Sequence, residues 1–87
     1  MTSKDKKSPI TVFPIKVSFT FMKNYCYLVM DKHTKDAILI DPAFEKKKIS
    51  STIESLNAKV QAILITHGHK DHIHLAHYFS ELYHCPI

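Results

Sequence analysis

Three imidazoles and a carboxylate crowd into the run Thr66-His67-Gly68-His69-Lys70-Asp71-His72, as His67, His69, Asp71 and His72. The run follows Ala62-Ile63-Leu64-Ile65, so it falls where an apolar strand would give way to a loop. In an extended segment, residues two apart project to the same side. His67 and His69 can therefore meet one ion. Gly68 removes a side chain from between them and frees the backbone angle there. Asp71 and His72 come one turn later, where the loop curls toward a helix, and face a second ion from another side. Imidazole and carboxylate donors suit zinc, with iron or manganese as alternatives. One or two such ions lower the pKa of bound water to about 7 and polarise a carbonyl. The implied chemistry is hydrolysis of an ester, thioester or amide, with Asp71 also placed to orient the water. A His-x-His pair alone is weak ground for a metal. Four donors directly after a buried strand are strong ground.

The other chemistry-bearing residues read more plainly. His33 lies in a polar loop and is expected to be solvated. His74 and His77 are three apart on an outward helical arc, and are read as exposed helix histidines rather than a second metal site; His84 is similar. Asp41 closes a strand before Pro42, and two roles stay open for it. It caps a turn or helix, or it holds the second ring nitrogen of a ligand histidine. Cys26 and Cys85 form no Cys-x-x-Cys, which argues against a structural zinc finger. Both are expected to be reduced core thiols.

Several elements must position these groups. Ile10–Ser18 is a β-forming run whose Pro14 marks it as an edge. Phe19–Lys23 is a turn or a continuation. Tyr25–Met30 is a second strand, and Asp31–Asp36 a polar hairpin loop. Ala37–Ile40 is a third strand. A helix is expected from about Glu45 to Leu56, with Ile49, Ile53 and Leu56 on one stripe and Asn57 as a left-handed stop. Val60–Thr66 is apolar at consecutive positions, the pattern of a strand covered on both faces. The last helix, about His72 to Tyr83, places Leu75, Ala76, Phe79, Leu82 and Tyr83 on one arc at about 100° per residue. His74, His77, Glu81 and His84 share the opposite arc, and His72 falls on the apolar side. Cys85-Pro86-Ile87 opens another strand. The order suggests an α/β domain: a mixed sheet with helices on one face, and an open face that needs a partner layer.

Bulk properties exclude several classes. At 87 residues there is one domain at most, with a modest core. The formal charge of +4 comes from twelve lysines and no arginine. Arginine is the residue that grips phosphate bidentately, so the lysines are read as solvated faces and no nucleic-acid partner is expected. No stretch approaches the roughly 18 apolar residues that span a bilayer. Residues 1–9 are polar and lysine-rich, read as a disordered arm rather than a signal peptide, and a cytoplasmic location follows by default.

The motif His67-Gly68-His69-Lys70-Asp71-His72 resembles the His-x-His-x-Asp-His signature of the metallo-β-lactamase-fold hydrolases. Ala62–Thr66 looks like their lead-in strand. Asn24–Val29 followed by Ala37–Pro42 is similar to their N-terminal strands. The subgroup most resembled is glyoxalase II-like, and within it the zinc-dependent hydrolases of bacterial polyketide biosynthesis clusters, through Val12–Ile15 and Asp71–Ala76. The resemblance covers about residues 10–87. It implies the N-terminal half of an αββα sandwich, with zinc held by His67 and His69 at one position and by Asp71 and His72 at another. Asp41 matches a strand-end aspartate near that site. His69, where glutamate would stand in the flavo-diiron branch, argues against that branch. His74-Leu75 replaces the Gly-Gly common in the family. The implied activity is a thioesterase or acyl hydrolase on a small-molecule or carrier-bound acyl substrate.

Family members are far longer and supply further ligands from later loops. Two donors per ion fall short of the three protein ligands that catalytic zinc keeps. The expectation is a truncated domain over residues 10–87 that binds zinc weakly and turns over little alone. The alternative is a non-catalytic metal-binding remnant, or a half-domain that needs a complementary C-terminal half. An amidohydrolase barrel also uses His-x-His after a strand, but normally without the adjoining Asp-His.

Overall fold

The computed structural model describes residues 9–66 and 70–87, and their side chains apart from those of 22 and 70–73. The elements run β1 (Ile10–Phe19), β2 (Met22–Asp31), β3 (Asp36–Ile40), α1 (Lys46–Ser55), β4 (Lys59–Leu64) and α2 (Lys70–Tyr83). They form one four-stranded sheet in sequence order. β1 pairs antiparallel with β2, and β2 with β3. β3 and β4 are parallel, joined by the α1 crossover, so the sheet is mixed as expected.

Local chemistry accounts for the turns. Phe19 pairs with Met22, which leaves Thr20-Phe21 as a two-residue hairpin turn with Thr20 at φ 55°. At the next turn the Asp31 carboxylate accepts hydrogen bonds from the backbone N–H of His33 at 2.8 Å and of Thr34 at 3.2 Å. Those two donors hold the Asp31 carboxyl below its ordinary value. Asn57 does stop α1 in the left-handed region, at φ 55°. The chain has one glycine, and among the described residues six non-glycine residues take positive φ: Thr20, Lys35, Asp41, Glu45, Asn57 and His84.

The core lies between one sheet face and the two helices. Ile15, Val17, Cys26, Leu28, Met30, Ala37, Leu39, Val60 and Ile63 alternate inward from the strands. Ile49 and Ile53 from α1, and Ala76 and Phe79 from α2, close over them. A period-two strand buries one side in this way and turns the other out. The outward side carries Val12, Tyr25, Tyr27, Ile38 and Leu64, all exposed.

Four sequence expectations are corrected. β4 is covered on one face only: Val60 and Ile63 are buried while Gln61 and Leu64 are exposed. A register irregularity accompanies this, with Ala37 opposite Val60 and Ile38 opposite Ala62. α2 begins at Lys70, two residues before the expected start. Leu82 is 47% exposed, because it lies at the margin of the apolar arc, where the sheet no longer reaches it. Cys85–Ile87 is not a strand, although the Ile63 N–H donates to the Pro86 carbonyl at 2.9 Å, the kind of bond a neighbouring strand makes. The arc of His74, His77, Glu81 and His84 is exposed as read. Of the N-terminal arm, residues 1–8 lie outside the described residues, and the Pro9 carbonyl accepts a bond from the Lys32 N–H at 2.7 Å.

Candidate metal centre

Because β3 and β4 are parallel, both end at the same edge of the sheet. Asp41 follows β3 directly, and Thr66 stands two residues beyond the end of β4. The Asp41 N–H donates to the Leu64 carbonyl at 2.9 Å, extending the ladder by one bond. Asp41 then turns to φ 54°, and only 9% of it stays exposed. Its carboxylate faces β4. The Thr66 N–H donates to Oδ1 at 2.7 Å, and the Thr66 hydroxyl donates to Oδ2. Charge-assisted bonds of this kind are the stronger class.

These contacts decide between parts of the Asp41 reading. Asp41 does not cap α1, whose N-cap is Glu45 with no side-chain cap bond. It clamps the backbone one residue before His67. The remaining option, a bond to a ligand histidine, involves side chains that are not described.

His67, Gly68 and His69 lie outside the described residues. Asp71 and His72 are in the first turn of α2, and their side chains too lie outside the described set. What is fixed is the frame. Thr66 is tied to Asp41 on one side, and α2 starts at Lys70 on the other, with three residues of chain between them. The two imidazoles of that span, with the Asp71 carboxylate and the His72 imidazole just past it, fit a divalent cation of the zinc class by their chemistry.

Beneath the clamp lies Cys26, fully buried and unpaired with Cys85. Burial, with a further push from the Asp41 charge, raises its thiol to about 12. A thiol so far above neutrality is a packing group and not a nucleophile. Cys85 is also raised by burial.

Sequence reasoning passed over Thr66 as a functional residue. The signal was present: a hydroxyl residue at the exit of one strand and a carboxylate at the exit of the strand before it, with a crossover helix between. A second tie of the same sort joins the neighbouring loop to the hairpin. The Glu45 carboxylate accepts from the Ser18 N–H at 2.9 Å and the Ser18 hydroxyl at 3.3 Å. Phe19 stacks on Phe44 nearby, with ring centroids 5.7 Å apart.

The model of the metallo-beta-lactamase superfamily matches residues 20–87. The chain is 40% identical over 76 residues to the probable polyketide biosynthesis zinc-dependent hydrolase BaeB of Bacillus velezensis, covering 87% of this chain and 34% of that protein. It is 45% identical over 49 residues to a cytoplasmic hydroxyacylglutathione hydrolase of Arabidopsis thaliana, covering 56% of this chain and 19% of that one. Among solved structures, ETHE1 from Myxococcus xanthus superposes with a TM-score of 0.68 at 26% identity, over 84% of this chain and 33% of that chain. The B3 metallo-beta-lactamase BLEG-1 superposes at 0.70 and 20% identity, over 85% and 35%, a likeness of fold. The chain thus spans about a third of the length of the polyketide-cluster relative it matches.

Proposed function

Because the chain belongs to the metallo-beta-lactamase superfamily, we propose that it carries the first half of a zinc-dependent hydrolase site acting on an acyl bond, a thioester foremost. The observation behind this is the Asp41 clamp. It holds Thr66, the residue before His67, at the shared exit of two parallel strands. His67 and His69 serve as one donor pair, and Asp71 and His72 as the other. The metal, when bound, supplies Lewis acidity toward water and carbonyl oxygen. Asp71 also orients the attacking water. The substrate class follows that of the relatives, a probable zinc-dependent hydrolase of polyketide biosynthesis and a hydrolase of hydroxyacylglutathione.

The exposed sheet face favours a companion reading, a half-domain that works with a complementary half. Val12, Tyr25, Tyr27, Ile38 and Leu64 turn apolar surface outward on one side of the sheet. Apolar patches of that kind commonly mark interaction surfaces. A second layer seated there completes a sandwich and brings further ligands to the strand exits.

Calorimetric titration of the 87-residue chain with zinc tests both readings. Weak binding, lost in His67→Ala and His69→Ala, with negligible thioester turnover, is the expected result. Sub-micromolar affinity with turnover by the chain alone overturns the half-site reading. Binding that ignores both histidine substitutions overturns the metal centre.

A further inference from the structure

A pocket of about 300 Å³ lies between the β3–α1 loop and α2, lined by Ala43, Glu45, Lys46, His74, Leu75 and Tyr78. Its polar groups are unevenly charged. Glu45, its acidic lining residue, has its carboxylate on Ser18. Lys46 is held in place by an aromatic ring, its Nζ lying 4.3 Å from the Tyr78 centroid. A cation over a ring face keeps its charge and its N–H donors available to a third party. His74 adds a ring N–H and Tyr78 a phenolic O–H. Ala43 and Leu75 supply an apolar lining. Lys47 and Lys48 stand exposed on the same turn of α1, and Lys48 reaches the Lys16 carbonyl, so the surroundings are basic as well.

We propose that this pocket binds the phosphate group of a phosphate ester. Ammonium, imidazole and phenol are donors on three different side chains, and a tetrahedral oxyanion accepts from several directions at once. The volume sits at the small end of the range for ligand sites, enough for a phosphate with a few attached carbons against Ala43 and Leu75. His74 shares α2 with Asp71 and His72, so the pocket and the candidate metal ligands draw on the same helix. Identifying the ester as an arm of the acyl substrate rests on the hydrolase reading; phosphate binding itself does not.

The test is an NMR titration of the isotope-labelled chain at constant ionic strength, with EDTA present so that no metal contributes. The probes are inorganic phosphate, glycerol 3-phosphate and glycerol. The expected result is saturable shifts at Lys46, His74 and Tyr78 with both phosphates, several-fold tighter for the ester, and none with glycerol. Lys46→Ala should weaken binding about tenfold, as loss of a charge-assisted partner does. Tyr78→Phe should weaken it less, because the ring that holds Lys46 remains. Shifts matched by chloride, indifference to Lys46→Ala, tighter binding of free phosphate than of the ester, or no saturable response overturns the proposal. None of these outcomes involves hydrolysis, so its failure would leave the zinc-hydrolase reading standing.

Discussion

Thr66 reaches across the exit of two parallel strands to Asp41, its N–H 2.7 Å from Oδ1 and its hydroxyl on Oδ2. A single carboxylate thereby fixes both the backbone and the side chain of the residue that precedes His67. Twenty-five positions separate the partners in sequence, and the α1 crossover is what brings them together.

Removing that carboxylate should loosen the strand exit. Asp41→Ala strips Thr66 of both acceptors and places alanine at a left-handed angle, a combined cost of about 2–3 kcal/mol. Asp41→Asn keeps one acceptor oxygen and tolerates the angle, so it should cost about half as much. Urea unfolding of the two variants measures the difference. A matching drop in zinc affinity for Asp41→Ala, read by chelator competition, would tie the clamp to the metal centre. Unchanged stability in both variants would remove the clamp from the account.

Cys26 makes a pH prediction. The thiol ionises near 9.0 in an ordinary setting and near 12 in the fold, owing to burial and then to the Asp41 charge. Between those values the unfolded chain has released a proton that the folded chain retains. The thiol's contribution to stability is therefore complete below pH 9 and declines as pH rises toward 12. The slope is about 1.4 kcal/mol per pH unit from this group. Cys26→Ala should flatten the alkaline decline relative to the parent chain, whatever it does to stability at neutral pH. A thiol reagent at neutral pH should label the half-buried Cys85 before Cys26.

The hairpin turn carries removable strain. Thr20 takes φ 55° at the first position of the two-residue turn, a left-handed angle that glycine adopts without steric cost. A β-branched residue there is costly, whereas glycine adopts the angle freely but loses more entropy on folding. Thr20→Gly should stabilise the chain by about 0.5–1 kcal/mol. Denaturant midpoints decide it, and a loss of stability would mean that the Thr20 hydroxyl bond to the Phe19 carbonyl outweighs the strain.

The outward sheet face should tolerate charge. Ile38 is 41% exposed while its neighbours Ala37 and Leu39 are buried. Ile38→Lys should change stability by no more than about 0.5 kcal/mol, the usual range for surface sites. It should also reduce any concentration-dependent association seen by sedimentation. Leu39→Lys, one position along, should prevent folding. Similar effects at both sites would contradict the two-sided description of β3.

Much of this architecture could be read from the chain. The Ile49 and Ile53 stripe, the Asn57 stop and the exposed histidine arc of α2 follow from local periodicity and turn chemistry, and all appear. β4 misled for a physical reason. Consecutive apolar residues state that a strand avoids water, but not whether the second covering layer belongs to the same stretch of chain. The Asp41–Thr66 bond is non-local, so no window of sequence contains it. The expected metal ligands, His67, His69, Asp71 and His72, rest on residue type and spacing.

Two prolines bear on how such a sheet meets other molecules. Pro14 sits inside the outermost strand β1 and has no N–H to give, and the Pro86 carbonyl occupies the Ile63 donor beside β4. A foreign strand trying to lengthen the ladder meets a missing donor at one rim and a spent one at the other. Assembly is steered away from rim-to-rim growth, the geometry of fibrils, and toward stacking on the broad flank.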